Sequence, residues 1–280
     1  MVDNKRIGLG TVQFGLKYGI TNTTGQTHSV EVKKILTTAT ELGIELLDTA
    51  GAYGDAESIL GKLHSNRFQI VSKFICNGSE KELKNQLINS LNKLNVNAFY
   101  GYLAHRPLEL LENKDLWTLM NNLKDAGLVK KIGYSLNHPS DFLILKKKKI
   151  IPDLIQVPYN YFDTRFSSII EETKELGGEV HSRSTFLQGL FFAKTKSLPT
   201  HFNPVKTKIT SLQNEYGDSL QAALLAYVLE FQLIDRVIIG VNDNNQLLHN
   251  INSLTSAPKL KPHDMKISEL ILMPNKWIIN

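Results

Sequence analysis

A closed (β/α)8 TIM barrel is the fold class that this sequence predicts, and three observations predict it. Eight short apolar runs recur along nearly the whole chain: Ile7–Leu9, Ile44–Leu47, Gln69–Ser72, Tyr100–Ala104, Lys131–Tyr134, Leu154–Val157, Glu179–Ser182 and Arg236–Ile239. Stretches with the apolar spacing of helices lie between them. Three of those stretches close on glycine, in ELG, DAG and ELGG, where a left-handed residue ends a helix. Strands that each return through a helix pair in parallel. Eight of them close into a barrel more simply than they spread into a doubly wound open sheet.

Each element has its own warrant. After the first run, Val32, Ile35, Leu36, Ala39 and Leu42 share one helical face. Leu83, Leu87, Leu91 and Leu94 do so after the third run, and Leu116, Leu119, Leu123 and Ala126 after the fourth. Lys146–Lys149 ends a helix after the fifth, where cations suit the helix dipole. Phe166, Ile169, Ile170, Thr173 and Leu176 follow the sixth run, and Leu220, Ala223, Leu224, Tyr227 and Val228 precede the eighth. Residues 189–210 are longer and less periodic, and are expected to form an excursion over the barrel mouth. The residues after Pro258 read as a tail packed across one end. No linker or composition shift divides the chain, so residues 1–280 are read as one domain.

Composition narrows the function. The chain has 280 residues, 42% hydrophobic and 21% charged, which excludes global disorder. A net charge of +5 is mild and dispersed, with no nucleic-acid module. No apolar stretch reaches the ~18 residues of a membrane span, and the N-terminus lacks a signal-peptide core. Cys76 is the only cysteine, so neither a disulfide nor a cysteine-rich metal site is expected. Cys76 itself reads as a small apolar residue. These features fit a cytoplasmic protein without metal, nucleic-acid or membrane partners.

In a barrel, working groups sit where strands end and loops begin. The second run ends in Asp48, with Tyr53 in its loop; the third gives Lys73 and the fourth His105. The fifth gives Ser135 and Asn137, and the sixth Gln156 and Asn160. A phenol is a weak acid at neutral pH, with a reference pKa near 10. A nearby ammonium favours the phenolate, and a carboxylate keeps that ammonium charged. A histidine beside them can orient a carbonyl oxygen. Together they suit a general acid that protonates an oxygen as charge develops on it.

GLGTVQFG, LLDTAGAYG, VSKF, LAHRP, KKIGYS and IQVPYN, in this order and on these runs, resemble the aldo-keto reductase family from residue 6 to about 250. The resemblance implies a barrel that binds NADPH without a Rossmann domain and reduces a small-molecule aldehyde or ketone. It implies Tyr53 as proton donor, tuned by Lys73 and Asp48, with His105 orienting the substrate. It places carboxamide contacts on Ser135 and Gln156, and the phosphate-side segment on Gly240, Val241, Asn242, Gln246 and Asn250. Gly10, Thr11, Leu187 and Gly189 complete the cofactor set. Arg183 stands where many members stack a tyrosine on the nicotinamide, and a guanidinium can stack on a flat ring as well. Many members also carry a basic residue where Gln246 stands. Here no Arg or Lys occurs from Gly240 to Asn250, which makes NADH an alternative to NADPH.

Gln13, Phe14, Tyr18, Arg106, Trp117 and Phe186 are the candidates for substrate contacts. Arg106 and Arg183 hint at an anionic substrate. GLGTVQFGLKYGI and RSTFLQGLF are similar to reductases of bacterial nucleotide-sugar pathways, which raises a keto-sugar substrate. The family resemblance implies a monomer or weak homo-oligomer. Two other classes stay open: a Schiff-base lyase or aldolase using Lys73, and a non-catalytic nicotinamide-binding subunit. GLGTVQ departs from the dinucleotide fingerprint at Gln13, so a Rossmann enzyme is not indicated.

Overall fold

Parallel strands buried on both faces read as continuous apolar runs, and each of the eight expected runs coincides with a strand, although the second strand starts at Leu46 and not at Ile44. The computed structural model describes residues 3–64, 67–76 and 78–278, so the ends of the expected 1–280 unit lie outside the described residues. The strands are β1 (Ile7–Gly10), β2 (Leu46–Asp48), β3 (Gln69–Phe74), β4 (Phe99–Ala104), β5 (Val129–Ser135), β6 (Leu154–Pro158), β7 (Glu179–Arg183) and β8 (Arg236–Gly240). They pair in sequence order, and β8 pairs back to β1 to close the barrel, all eight strand pairs being parallel.

The helices are α1 (Val12–Gly15), α2 (Ser29–Glu41), α3 (Ala56–Leu63), α4 (Glu80–Leu94), α5 (Asp115–Asp125), α6 (Pro139–Lys147), α7 (Ser167–Glu175), α8 (Asn203–Tyr216), α9 (Leu220–Glu230), α10 (Asn244–Asn252) and α11 (Glu269–Leu272). The glycines of ELG, DAG and ELGG take positive φ at Gly43, Gly127 and Gly177, as the helix ends require. Ser79 and Glu82 form a reciprocal capping box at the start of α4.

Side-chain alternation builds the barrel interior in layers. Leu46, Val71, Leu103, Leu154 and Ile238 form a closed apolar plug. Gly8 leaves room for it, since a Cβ there would lie 2.5 Å from Ile238 Cδ1. Two residues further along three of these strands come Asp48, Lys73 and Gln156, on the same inward face. The period that buries the plug therefore sets polar groups on top of it. Below the plug, Glu179 accepts from Tyr100 Oη at 2.7 Å and pairs with Lys131 and His181.

The outer faces of the strands and the inner faces of the helices form the main core. Trp117, half-buried, packs against this core and faces Tyr134 across 6.3 Å. This corrects its expected place at the mouth, because α5 turns that face toward the sheet. A second apolar cluster joins Leu187, Phe191, Phe202, Val205, Ile209 and Leu272. The 189–210 segment thus packs with the tail in a side core that includes much of α8. Only Gly189 and Phe192 of that segment reach the groove described next.

Candidate active site

The plug puts a carboxylate, an ammonium and an amide in one buried layer. Lys73 Nζ donates to Asp48 Oδ1 at 2.6 Å and to the Thr49 carbonyl at 3.0 Å. Gln156 Nε2 donates to Asp48 Oδ2 at 2.7 Å, and Ser135 Oγ lies 3.4 Å from Gln156 Oε1. Thr11 holds the Asp48 carbonyl with both its amide and its hydroxyl, each at 3.0 Å. The lysine and aspartate side chains are 1% and 6% exposed, so this pair is screened little by water. Burial pulls the Lys73 ammonium down, but Asp48 and Tyr53 outweigh burial and leave it above its ordinary value. The lysine is a fixed cation.

Tyr53 stands over that cation, with Lys73 Nζ 5.2 Å from its ring centre. His105 meets the same ring edge-on at 6.0 Å. Burial, followed by the Lys73 and Arg183 charges, pushes the His105 imidazole down to about 4. The ring is therefore neutral at pH 7. Two glycines fix the loop that carries Tyr53. A Cβ on Gly15 would lie 1.8 Å from the Tyr53 carbonyl, and Gly54 has a φ of +55° with its Cβ position 2.5 Å from Gly15 O. Gly15→Ala is expected to displace Tyr53, lowering kcat at least about tenfold and stability by roughly 1–3 kcal/mol. Steady-state turnover and chemical denaturation check the two effects separately.

His105 also links stability to pH. Between about 4 and its ordinary 6.5, the unfolded chain holds a proton that the folded chain does not. The stability present above pH 6.5 should fall as pH drops through about 4. Denaturation at several pH values should show a flatter slope in His105→Gln, by an amount on the order of 2 kcal/mol across that window.

Asp48 and Tyr53 lie at one end of a groove of about 520 Å3. Gly10, Thr11, Gln13, Tyr18, Arg183, Phe186, Gly189, Gly240, Asn242 and Gln246 line it as well. Arg183 Nη2 donates to the Leu136 carbonyl at 2.8 Å and to Asn137 Oδ1 at 2.7 Å, which anchors the guanidinium. Two segments meet along one wall. Ile20 N donates to the Gln188 carbonyl at 2.9 Å, and Gln188 Nε2 donates to Tyr18 Oη at 2.9 Å. Ser184, Leu187 and Gln188 all take positive φ there. Such backbone in non-glycine residues is costly and clusters at working sites.

Other expected residues fall elsewhere. Phe14, Leu187 and Val241 are buried in the two apolar cores, because their side chains face away from the groove. Ser135, Gln156 and Asn250 are buried beneath its surface. Arg106 is 71% exposed, pairs with Glu109 at 3.5 Å and does not line the groove. Burial pushes the Cys76 thiol up to about 12, which fits its reading as an inert apolar residue. Sequence reasoning missed Thr21, Asn22, Thr185, Gln188 and Phe192 on the groove wall. A left-handed turn marked by Gly189 was the one local signal for part of this set.

Two groove-lining groups bear on whether a dinucleotide fits. Gln13 Oε1 and Thr185 Oγ1 are buried with no hydrogen-bond partner. A polyhydroxylated, phosphate-bearing ligand would supply partners to both. No group of three metal-ligating side chains gathers among the described residues. None of the described helices is long and apolar enough to cross a membrane. A separate cavity of about 470 Å3 lies between α9 and the tail and contains none of the strand-end groups.

Known proteins resemble the chain in both sequence and fold. It is 28% identical over 183 residues to aldo-keto reductase YhdN of Bacillus subtilis, a match covering 58% of this chain and 52% of that protein. The chain thus spans about half the length of that relative. It is 25% identical over 225 residues to aldo-keto reductase AKR2E4 of Bombyx mori, covering 73% of this chain and 71% of that one. The solved structure of aldo-keto reductase AKR11C1 from Bacillus halodurans superposes with a TM-score of 0.70 at 20% identity, covering 91% of this chain and 88% of that one. The Pseudomonas aeruginosa protein PA4992 gives 0.69 at 24% identity over 90% of both chains. At these identities the two structures speak for the fold alone. The Aldo/keto reductase family model matches residues 6–271, which takes in all eight strands and the Asp48, Tyr53, Lys73 and His105 set, and the chain belongs to the aldo/keto reductase family.

Proposed function

We propose that this protein is an NAD(P)H-dependent oxidoreductase that reduces a small aldehyde or ketone to the alcohol, with Tyr53 as proton donor. One observation carries the reading: Lys73 pairs with Asp48 and lies near the Tyr53 ring, His105 meets that ring edge-on, and Asp48 and Tyr53 open onto a groove of about 520 Å3. A bound reduced nicotinamide would supply the hydride. The chain's own residues handle the oxygen. Tyr53 Oη gives its proton to the carbonyl oxygen as negative charge grows there. Lys73 stabilises the phenolate left behind, and Asp48 keeps the lysine charged. His105, neutral in this setting, is free to hydrogen-bond the carbonyl and set its orientation. Gln156 braces the carboxylate within its layer, and Ser135 in turn donates to Gln156. Arg183 offers its flat face along the groove wall.

The apolar wall of Phe186, Phe192 and Tyr18 suits a compact substrate beside the reacting atoms. Of the two arginines that suggested an anionic substrate, only Arg183 lines the groove. A keto-sugar therefore rests on sequence likeness alone. The reading treats the chain as a single cytoplasmic domain, a monomer or weak homo-oligomer. A Schiff base on Lys73 is disfavoured, because Asp48 at 2.6 Å holds that amine protonated. The test is oxidation of NADH and NADPH, followed by absorbance, with a series of reactive aldehydes and ketones. Turnover supports the reductase. Cofactor binding without turnover of any carbonyl would favour the non-catalytic subunit instead.

A further inference from the structure

We infer that the far end of the groove is built to take NADH and to reject NADPH, and that Glu31 is a specificity-determining residue for that choice. The inference rests on the reductase reading, which fixes the nicotinamide at Tyr53. A dinucleotide lying along the groove then places its adenosine at the opposite end, between the start of α9 and the first turn of α10. Asp218 and Gln221 line that end on one side, and Asn242, Gln246 and His249 on the other. Among the described residues Arg183 is the only Lys or Arg on the groove wall, and it belongs to the Tyr53 end, where its charge acts on His105.

A helix N-terminus normally offers free amides to a phosphate. Here two amides of the first turn of α10, those of Asn244 and Gln246, are already committed. Glu31, reaching across from α2, accepts from Asn244 N at 2.9 Å. Asp243 accepts from Gln246 N at 2.9 Å, and Gln246 Oε1 accepts from Asn242 N at 2.9 Å. Hydrogen bonds from the Asn244 amide and then Lys34 hold the Glu31 carboxyl below its ordinary range, so it is ionised at neutral pH. Lys34 offsets part of the charge at 2.9 Å, but it is 61% exposed and screened. An added 2′-phosphate would thus meet Asp218 on the wall, the charges of Glu31 and Asp243 behind the α10 amides they cap, and few free donors, with Lys34 already paired to Glu31. A ribose 2′-hydroxyl can instead donate to an acidic or amide oxygen, which is how other nucleotide folds tell NAD from NADP.

The experiment is equilibrium titration of the purified protein with NADH and with NADPH, read by nicotinamide fluorescence and calorimetry. Wild type is expected to bind NADH at least about tenfold tighter. Glu31→Gln keeps an oxygen to cap Asn244 and removes only the charge. It should narrow the ratio, through NADPH affinity, by about threefold or more. Asn242→Arg in the same background should narrow or invert it further. Equal or tighter NADPH binding by wild type would overturn the inference and leave the reductase reading intact. An unchanged ratio in Glu31→Gln would remove Glu31 as the determinant. Binding of neither cofactor would sink the reductase reading together with the inference.

Discussion

Tyr53→Phe should lower kcat by at least about a hundredfold, the usual weight of a positioned general acid, while cofactor affinity stays within about twofold. The substitution removes one oxygen and keeps the ring that packs against His105. The hydride route and the groove remain, so binding persists while the developing oxyanion loses its proton. His105 is the obvious substitute acid, and its imidazole sits at about 4. If His105 gave the proton, the rate of Tyr53→Phe would climb as pH fell toward that value. Wild-type turnover in Tyr53→Phe would remove the phenol from the mechanism, and an acid-activated residual rate would transfer the role to His105. Rapid-mixing kinetics with a reactive aldehyde measures the chemical step directly and keeps product release from hiding the loss.

The residues of this acid centre are legible in the sequence because strand periodicity fixes them. Asp48, Lys73 and Gln156 follow Leu46, Val71 and Leu154 by two residues on strands whose inward faces are buried. A polar residue at that step has one place to point. The eight strands are equally legible, as parallel strands covered on both faces must be apolar throughout. The groove wall is not. Tyr18 and Gln188 meet across 170 positions of chain, through loops with no period, and Gln188 takes a backbone conformation that its residue type does not announce. Phe14 and Val241 read as pocket residues by position, yet both turn into the helix layer, because apolar type is common to pocket and core. Glu31 carries no signal at all. It sits in the first turn of α2, where an acidic residue suits the dipole, and only the fold brings it to α10.

The second large effect separates the electrostatics of this centre from its stability. Lys73→Met strips the cation from a buried Asp48 that keeps only the Gln156 amide, and Asp48→Asn leaves a buried ammonium held by the Thr49 carbonyl. Removing one partner of a buried pair typically costs about 3–5 kcal/mol, because the other charge stays desolvated. Each single variant should therefore unfold at markedly lower denaturant. The double variant replaces two charges with neutral groups of similar bulk, and should lie within about 2 kcal/mol of wild type, a coupling of several kcal/mol between the sites. Turnover should not follow that recovery. Without the ammonium, the phenolate formed at Tyr53 loses the charge 5.2 Å from its ring, so all three variants should be slower by about a hundredfold or more. A stable double variant with no activity would assign the pair to chemistry, over and above packing. Recovery of activity along with stability would show that the pair only holds the barrel floor in place, and that Tyr53 needs no neighbouring charge.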